Sequence, residues 1–391
     1  MLGVENGLNF QQNTRYQKIG AVGGIAITGP DENIFSIGDL NFDGYVNSID
    51  LILAKSGLLS GFTDNTVKLA ADVDGSGVVD SYDVLYMLQY VLGDISKFPI
   101  VENPDDPEDP DDPEDPPFNY EAALQYRPAP DSYLTQSPQP GKDVKETYTG
   151  INGTKSLNVY IPYGYDSSKE YNIFYLMHGG GENENTIFGN DVNMHLILDH
   201  MIMNGDLEPM IVVTPTFNGG NCTAQNFYQE FRTNVIPTVE GKYSTYAKST
   251  SAEGIAASRM HRAFGGFSMG GVSTWAVMVN CLDCVGYYMP LSGDHWTGNS
   301  AQEKAYSITS AIDRSGLSKR DYFVFAATGS DDIAYPNIGP QIEAMKPLSQ
   351  FDYTSDFSKG NLYFLVAQGT THWWGYVRHY IYDALPYFFH E

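Results

Sequence analysis

The pentapeptide Gly266-Phe267-Ser268-Met269-Gly270 constrains this chain more than any other stretch. It follows the run Arg262-Ala263-Phe264-Gly265 and leads into an apolar helical pattern over Val272–Cys281. A serine between two nearly side-chain-free positions, with a strand before it and a helix after it, fits a sharp nucleophile elbow. Such a turn leaves Ser268 Oγ exposed at the top of a sheet. A plain glycine-rich turn with a surface serine would not account for the strand and helix on either side.

The surrounding segment, 118–391, alternates apolar β-rich runs with helical patterns, which predicts an α/β sheet. Strands are expected at Leu157–Ile161, Asn172–Met177, Met210–Thr214, His261–Phe267, Val285–Leu291, Tyr322–Ala327 and Leu362–Ala367. Helices are expected at Asn193–Met203, Phe227–Tyr243 and Val272–Cys281, with a last one over about Gly375–Phe388.

A serine hydroxyl becomes a nucleophile when a histidine takes its proton, and a carboxylate must fix that histidine's tautomer. In α/β-hydrolases the three follow the chain order serine, acid, histidine, on loops after successive strands. His372 in Gly369-Thr370-Thr371-His372 sits where the base belongs, after the last strand. For the acid, Thr328-Gly329-Ser330-Asp331-Asp332 offers two neighbours, and Asp294 is a rival one strand earlier. Strand order favours the Asp331/Asp332 pair without choosing between them. The oxyanion of an acyl-transfer intermediate needs two N–H donors. Met269, after the nucleophile, is one. Gly180 in His178-Gly179-Gly180-Gly181 is the other, with Gly179 as the neighbouring possibility.

Residues 34–99 carry an internal repeat. Asp39, Asn41, Asp43, Asn47 and Asp50 in the first copy match Asp72, Asp74, Ser76, Asp80 and Asp83 in the second. These are positions 1, 3, 5, 9 and 12 of a calcium loop, with glycine at position 6 and the carbonyls of Tyr45 and Val78 at position 7. Helical runs Leu51–Leu59 and Val84–Leu92 follow. Two bound, structural Ca2+ ions are expected. Residues 1–33 show no periodicity and read as the tail of an upstream module. Residues 100–117 are an acidic, proline-rich linker, extended by proline and by charge repulsion.

The net charge of -26 argues against nucleic acid and anionic membranes as partners. No run approaches the roughly 18 apolar residues of a membrane span. Met1–Phe10 shows neither the basic nor the apolar region of a signal peptide, as expected of a piece of a larger secreted protein. Cys222, Cys281 and Cys284 are expected to be ordinary thiols.

The two loop–helix repeats with aspartate at position 12 resemble a dockerin, a small all-α module. The resemblance implies calcium-dependent folding and a cohesin domain of a scaffold protein as partner. The Ser-Thr pair that family members often carry at positions 10 and 11 is replaced by Ser48-Ile49 and Ser81-Tyr82, which bears on the cohesin chosen.

Tyr175-Leu176-Met177-His178-Gly179-Gly180-Gly181, Gly265–Gly271, Gly329-Ser330-Asp331-Asp332 and Thr371–Tyr380 resemble the esterase-D-type family of bacterial feruloyl esterases, carbohydrate esterase family 1. The resemblance spans nearly all of 118–391. It implies an α/β-hydrolase fold, a triad of Ser268, His372 and Asp332 (rather than Asp331), and no metal in the chemistry. It implies release of ferulate or a related hydroxycinnamate from arabinoxylan, in a secreted, cellulosome-associated enzyme. Trp296 and Trp373 are candidates to pack on the phenol ring. The alternatives are an acetyl xylan esterase, another carboxylesterase or thioester hydrolase on this fold, and a non-catalytic carbohydrate-binding module.

Overall fold

Three short strands, β1 (Arg15–Lys18), β2 (Ile25–Thr28) and β3 (Ile34–Ser36), pair antiparallel in that order. The sequence carries no warning of them, because three or four residues are too few for a period-2 alternation to register. The computed structural model describes residues 15–18, 25–28, 34–43, 45–75, 78–92, 95, 98, 124–151 and 153–390. Ser76, the linker 100–117 and most of 1–33 lie outside the described residues. The chain forms two compact units, Met1–Pro113 and Glu114–Glu391.

In the first unit, helices α1 (Ser48–Ser60), α2 (Asn65–Ala71) and α3 (Ser81–Leu92) follow the strands. The repeat helices start three residues before their apolar runs, since capping side chains open them. Asn47 accepts from Ile49 N–H while Asp50 reaches back to the Asn47 N–H. Asp80 accepts from Tyr82 N–H at 2.7 Å. Leu40, Leu51, Ala54, Ala70, Val73 and Met87 form the small core between them.

The second unit is built on eight strands: β4 (Lys142–Gly150), β5 (Gly153–Ile161), β6 (Ile173–Met177), β7 (Ile211–Thr214), β8 (Arg262–Phe267), β9 (Tyr287–Leu291), β10 (Phe323–Gly329) and β11 (Leu362–Ala367). Their order across the sheet is β4-β5-β7-β6-β8-β9-β10-β11. The pairs β4/β5 and β5/β7 are antiparallel and all others are parallel. Helices α4 (Met194–Met203), α5 (Phe227–Glu230), α6 (Ile236–Glu240), α7 (Ala252–Ala257), α8 (Met269–Asn280), α9 (Ala301–Ser315), α10 (Tyr335–Met345) and α11 (Trp374–Ala384) complete it. A π turn, Phe231–Val235, joins α5 to α6 within what the sequence predicts as one helix.

Both faces of the sheet are covered, which is why the central strands read as unbroken apolar runs. Along β6, Ile173, Tyr175 and Met177 enter a core with α8, α9 and α10, whereas Phe174 and Leu176 enter a second core with α4 and α11. Among the described residues, no helix is long and apolar enough to cross a membrane. The parallel strands bring their carboxyl ends to one edge, where open α/β sheets bind ligands.

Candidate active site and calcium loops

Ser268 sits between β8 and α8 with φ 57° and ψ −114°, a left-handed backbone that only a tightly packed turn holds in place. Its N–H donates to Leu291 O at 2.9 Å. The flanking glycines are required by contact. A Cβ on Gly266 would meet the Gly270 backbone at 2.7 Å, and one on Gly270 would lie 2.4 Å from Met177 O. The elbow thus passes directly beneath the end of β6.

His372, in the loop after β11, brings Nε2 to 2.9 Å from Ser268 Oγ and Nδ1 to 2.7 Å from Asp332 Oδ1. Asp332 lies in the loop after β10 and is 3% exposed. Burial works to raise its carboxyl, but the hydrogen bonds from His372 and Ala334 N–H outweigh it and hold it below the usual carboxylate range. An ionised carboxylate only accepts, so Nδ1 carries the imidazole proton and Nε2 is left to accept from the serine hydroxyl. The His372 ring rests on Phe267, with centroids 4.5 Å apart.

The competing aspartates are engaged elsewhere. Asp331 is exposed and accepts from Ser330 Oγ. Asp294 pairs with Lys304 Nζ at 2.5 Å. Burial lowers neighbouring His295 to about 4 and its Nε2 faces Ser307 Oγ, so it is a neutral packing group.

Met269 opens α8, where helix geometry leaves its N–H without an intrahelical acceptor. Gly180 runs alongside, and a Cβ there would be 3.0 Å from Met269 Cγ. Gly179 N–H, by contrast, donates to Glu182 Oε2 at 2.7 Å. Trp296 and Trp373 are 47% and 57% exposed, far too open for core residues of that size. Trp373 directly follows His372 and packs edge-on against Tyr376. Glu182 was not singled out by sequence, and the only signal was its place after three glycines. All three thiols are free, and burial raises Cys281 to about 12 and Cys284 to about 11, far from the range of a reactive thiolate.

In the first unit the aspartates at position 12 of the two loops accept from matching backbone positions. Asp50 Oδ1 accepts from Leu40 and Asn41 N–H and Oδ2 from Asn47 N–H. Asp83 Oδ1 accepts from Val73 and Asp74 N–H and Oδ2 from Asp80 N–H. In the second loop Asp72, Asp74 and Asp83 bring one carboxylate oxygen each within 4.8 Å of one another, and no other such acidic cluster occurs among the described residues. Burial raises Asp83 to about 6, and the charge of Asp74 adds to it. Three converging carboxylates fit a hard divalent cation. In the first loop Asn41 replaces one carboxylate. There Asp39 Oδ1 and Asn41 Oδ1 accept from Asp43 N–H, and Asp43 Oδ1 accepts from Tyr45 N–H. Val78 is exposed beside the second cluster.

A dockerin type I domain model matches residues 37–92, and an esterase family model matches 149–337. Endo-1,4-beta-xylanase Y of Acetivibrio thermocellus is 68% identical over 380 residues, covering 96% of this chain and 34% of that protein. The chain therefore spans about a third of that relative's length. A solved feruloyl esterase module from Clostridium thermocellum, a serine-to-alanine mutant complexed with sinapinate, is 80% identical. It covers 70% of this chain and 97% of that one, with a TM-score of 0.69. An endo-1,4-beta-xylanase/feruloyl esterase of Xylanibacter ruminicola is 33% identical over 152 residues, covering 36% of this chain and 19% of that protein.

Sheet order, elbow and family match define a carboxylic ester hydrolase on an α/β-hydrolase fold, preceded by a dockerin. The chain belongs with the feruloyl esterase modules and carries a type I dockerin domain.

Proposed function

We propose that residues 118–391 are a serine esterase that releases ferulate or a related hydroxycinnamate from arabinoxylan. The observation that carries this reading is the unbroken hydrogen-bond chain Ser268–His372–Asp332 in a module 80% identical to a feruloyl esterase solved with sinapinate.

In this mechanism His372 Nε2 takes the Ser268 proton as Oγ attacks the ester carbonyl. The C=O π pair moves onto oxygen, and the Met269 and Gly180 N–H groups hold that oxyanion. The commitment of Gly179 N–H to Glu182 supports Gly180 as second donor. As the tetrahedral intermediate collapses, the C–O bond to the sugar breaks and His372 protonates the departing alkoxide. Water, deprotonated by His372, then attacks the acyl-enzyme; ferulate leaves and Ser268 regains its proton. Asp332 holds the working tautomer and stabilises the imidazolium. The exposed indoles of Trp296 and Trp373 offer flat apolar faces to a phenolic ring.

Residues 34–99 act as the dockerin, and the acidic stretch 100–117 as the linker to the esterase. Two structural Ca2+ ions would sit in the loops. One is held by Asp39, Asn41, Asp43, Asn47, Asp50 and the Tyr45 carbonyl. The other is held by Asp72, Asp74, Ser76, Asp80, Asp83 and the Val78 carbonyl. The dockerin match supports a cohesin partner, hence a secreted, cellulosome-associated protein with feruloylated arabinoxylan as substrate.

The test is initial hydrolysis rates on methyl ferulate and on acetylated xylan, with Ser268→Ala as control. Ferulate release that vanishes in the mutant is the expected result. Preference for acetyl groups would keep the mechanism and make the enzyme an acetyl xylan esterase. Hydrolysis retained by the mutant, or none by the native protein, would overturn the reading.

A further inference from the structure

Glu182 closes a bridge between two loops that meet at the active site. Its Oε2 accepts from Gly179 N–H at 2.7 Å. Both carboxylate oxygens face the indole N–H of Trp374, at 2.9 and 3.0 Å. Trp374 is the first residue of α11, two positions after His372, and is 5% exposed. Its ring stands edge-on to Phe267, centroids 5.0 Å apart, and Phe267 directly precedes Ser268. One carboxylate therefore joins the glycine loop after β6 to the segment that carries His372.

The same glycine loop is fixed from its other side. His178 Nδ1 lies 2.8 Å from Gly179 O, and Nε2 lies 2.7 Å from Thr216 Oγ1. Thr216 Oγ1 accepts from Asn218 N–H, so its own hydrogen is free to go to His178 Nε2. That assigns the ring proton to Nδ1, which donates to Gly179 O. Burial lowers the His178 pKa and keeps the ring neutral. In a trans peptide the carbonyl and the following N–H point in opposite directions. Holding Gly179 O against the His178 ring therefore turns the Gly180 N–H the opposite way, out of that contact. Glu182 holds the preceding N–H of the same residue, so Gly179 is clamped at both its backbone polar groups.

We propose that Glu182 is a positioning residue for ester hydrolysis: by accepting from Gly179 and Trp374 at once, it sets the Gly180 N–H and the His372 loop in register around the reacting carbonyl. This rests on the proposed roles of Gly180 and Ser268. Glu182 touches no substrate atom in this scheme. Its contribution is realised when charge reaches the carbonyl oxygen, so its loss should reduce kcat and leave KM nearly unchanged.

The test compares the full chain with Glu182→Ala, Glu182→Gln, Trp374→Phe and the double variant Glu182→Ala/Trp374→Phe on methyl ferulate, with melting temperatures measured alongside. Losing a well-aimed oxyanion donor costs about 10²–10³ in rate, so a donor merely loosened should cost about 10- to 100-fold in kcat. Glu182→Ala is expected in that range, with KM within about threefold. Glu182→Gln keeps one carbonyl oxygen to accept and should recover most of the loss. Trp374→Phe keeps the packing on Phe267 and removes only the N–H, so it should lose less than Glu182→Ala. The double variant should be no slower than Glu182→Ala, because both changes cut one bridge.

A folded Glu182→Ala with kcat within about twofold of the native protein overturns the proposal. So does a Glu182→Gln no better than alanine, or a fully additive double variant. Should Glu182→Ala fail to fold, Glu182→Gln and Trp374→Phe decide: native kcat in both overturns it, and a kcat loss at native KM and melting temperature in Trp374→Phe supports it. Ser268→Ala in the same assay separates the readings. If it is inactive while the Glu182 variants are native-like, only the bridge fails; if it is active, the serine mechanism fails.

Discussion

Asp332 Oδ1 lies 2.7 Å from His372 Nδ1, while Asp331, one residue earlier, faces solvent. Replacing Asp332 by asparagine preserves shape but no longer demands a proton on Nδ1. The imidazole then favours the tautomer whose Nε2 cannot accept from Ser268. We expect Asp332→Asn to lower kcat by about 10⁴ and Asp331→Asn to change it less than about twofold. Steady-state kinetics on methyl ferulate checks both, and equal losses would mean the acid is misassigned.

Gly270→Ala should damage the fold rather than the chemistry. Its new methyl would press on Met177 O, a backbone atom that cannot swing aside. Overpacking of this kind costs about 1–3 kcal/mol or more. The expected result is a lower melting temperature and poor soluble yield, read by calorimetry.

Asp383 gives the second unit a pH-dependent stability. Burial pushes this carboxyl up to about 7, against the Arg127 N–H that it accepts and the Arg127 guanidinium nearby. The folded state thus holds the proton more tightly than the unfolded chain, whose carboxyl titrates near about 3.9. Stability from this group is present in full below that value and is lost as pH rises to about 7. Asp383→Asn cannot ionise and can still accept from Arg127. Its melting temperature should exceed the native value by on the order of 5 °C at pH 8 and converge with it near pH 4. A constant difference across that range would rule the titration out.

Chelation should unfold residues 34–99 and abolish cohesin binding while hydrolysis persists, because the bound ions stabilise only the folded loops. Asp83→Ala should remove one of two Ca2+ equivalents in titration calorimetry. Loss of esterase activity in EDTA would place a metal in the catalytic unit after all.

Trp296→Ala should raise KM for feruloyl esters about 2- to 12-fold more than for acetyl esters, since an aromatic contact contributes roughly 0.5–1.5 kcal/mol beyond its buried area. An equal change for both would remove the ring-packing role.

The parts of the site that backbone contact dictates were legible in sequence. Gly266 and Gly270 have to be glycine where the elbow passes β6, and this marks Ser268. His372 was legible by its place after the last strand. Asp331 and Asp332 were not separable by spacing, as both follow β10 and only the direction of one side chain tells them apart. Nor were Gly179 and Gly180, which differ in what their N–H groups meet. Strand β4 escaped because its Lys-Asp-Val-Lys-Glu-Thr sequence lies largely exposed at the sheet margin. Helix α9 escaped because its apolar positions are mostly alanine and isoleucine among polar residues, although Ser300 and Glu303 form a capping box at its start. Helix α10 escaped because Pro340 lies in its interior, where proline ordinarily signals a break.

His372 follows β11, which pairs with β10 at the margin of the eight-stranded sheet and meets a single bridge from Tyr353 on its other side. Margins open at lower free energy than centres. The elbow and its glycine loop spring from β8 and β6, in the middle. On warming, hydrogen exchange in the loop that carries His372 should therefore quicken before it does in the elbow that carries Ser268. An inactivation that starts with the parting of His372 from Ser268 should reverse on brief cooling, because the rest of the sheet has stayed folded.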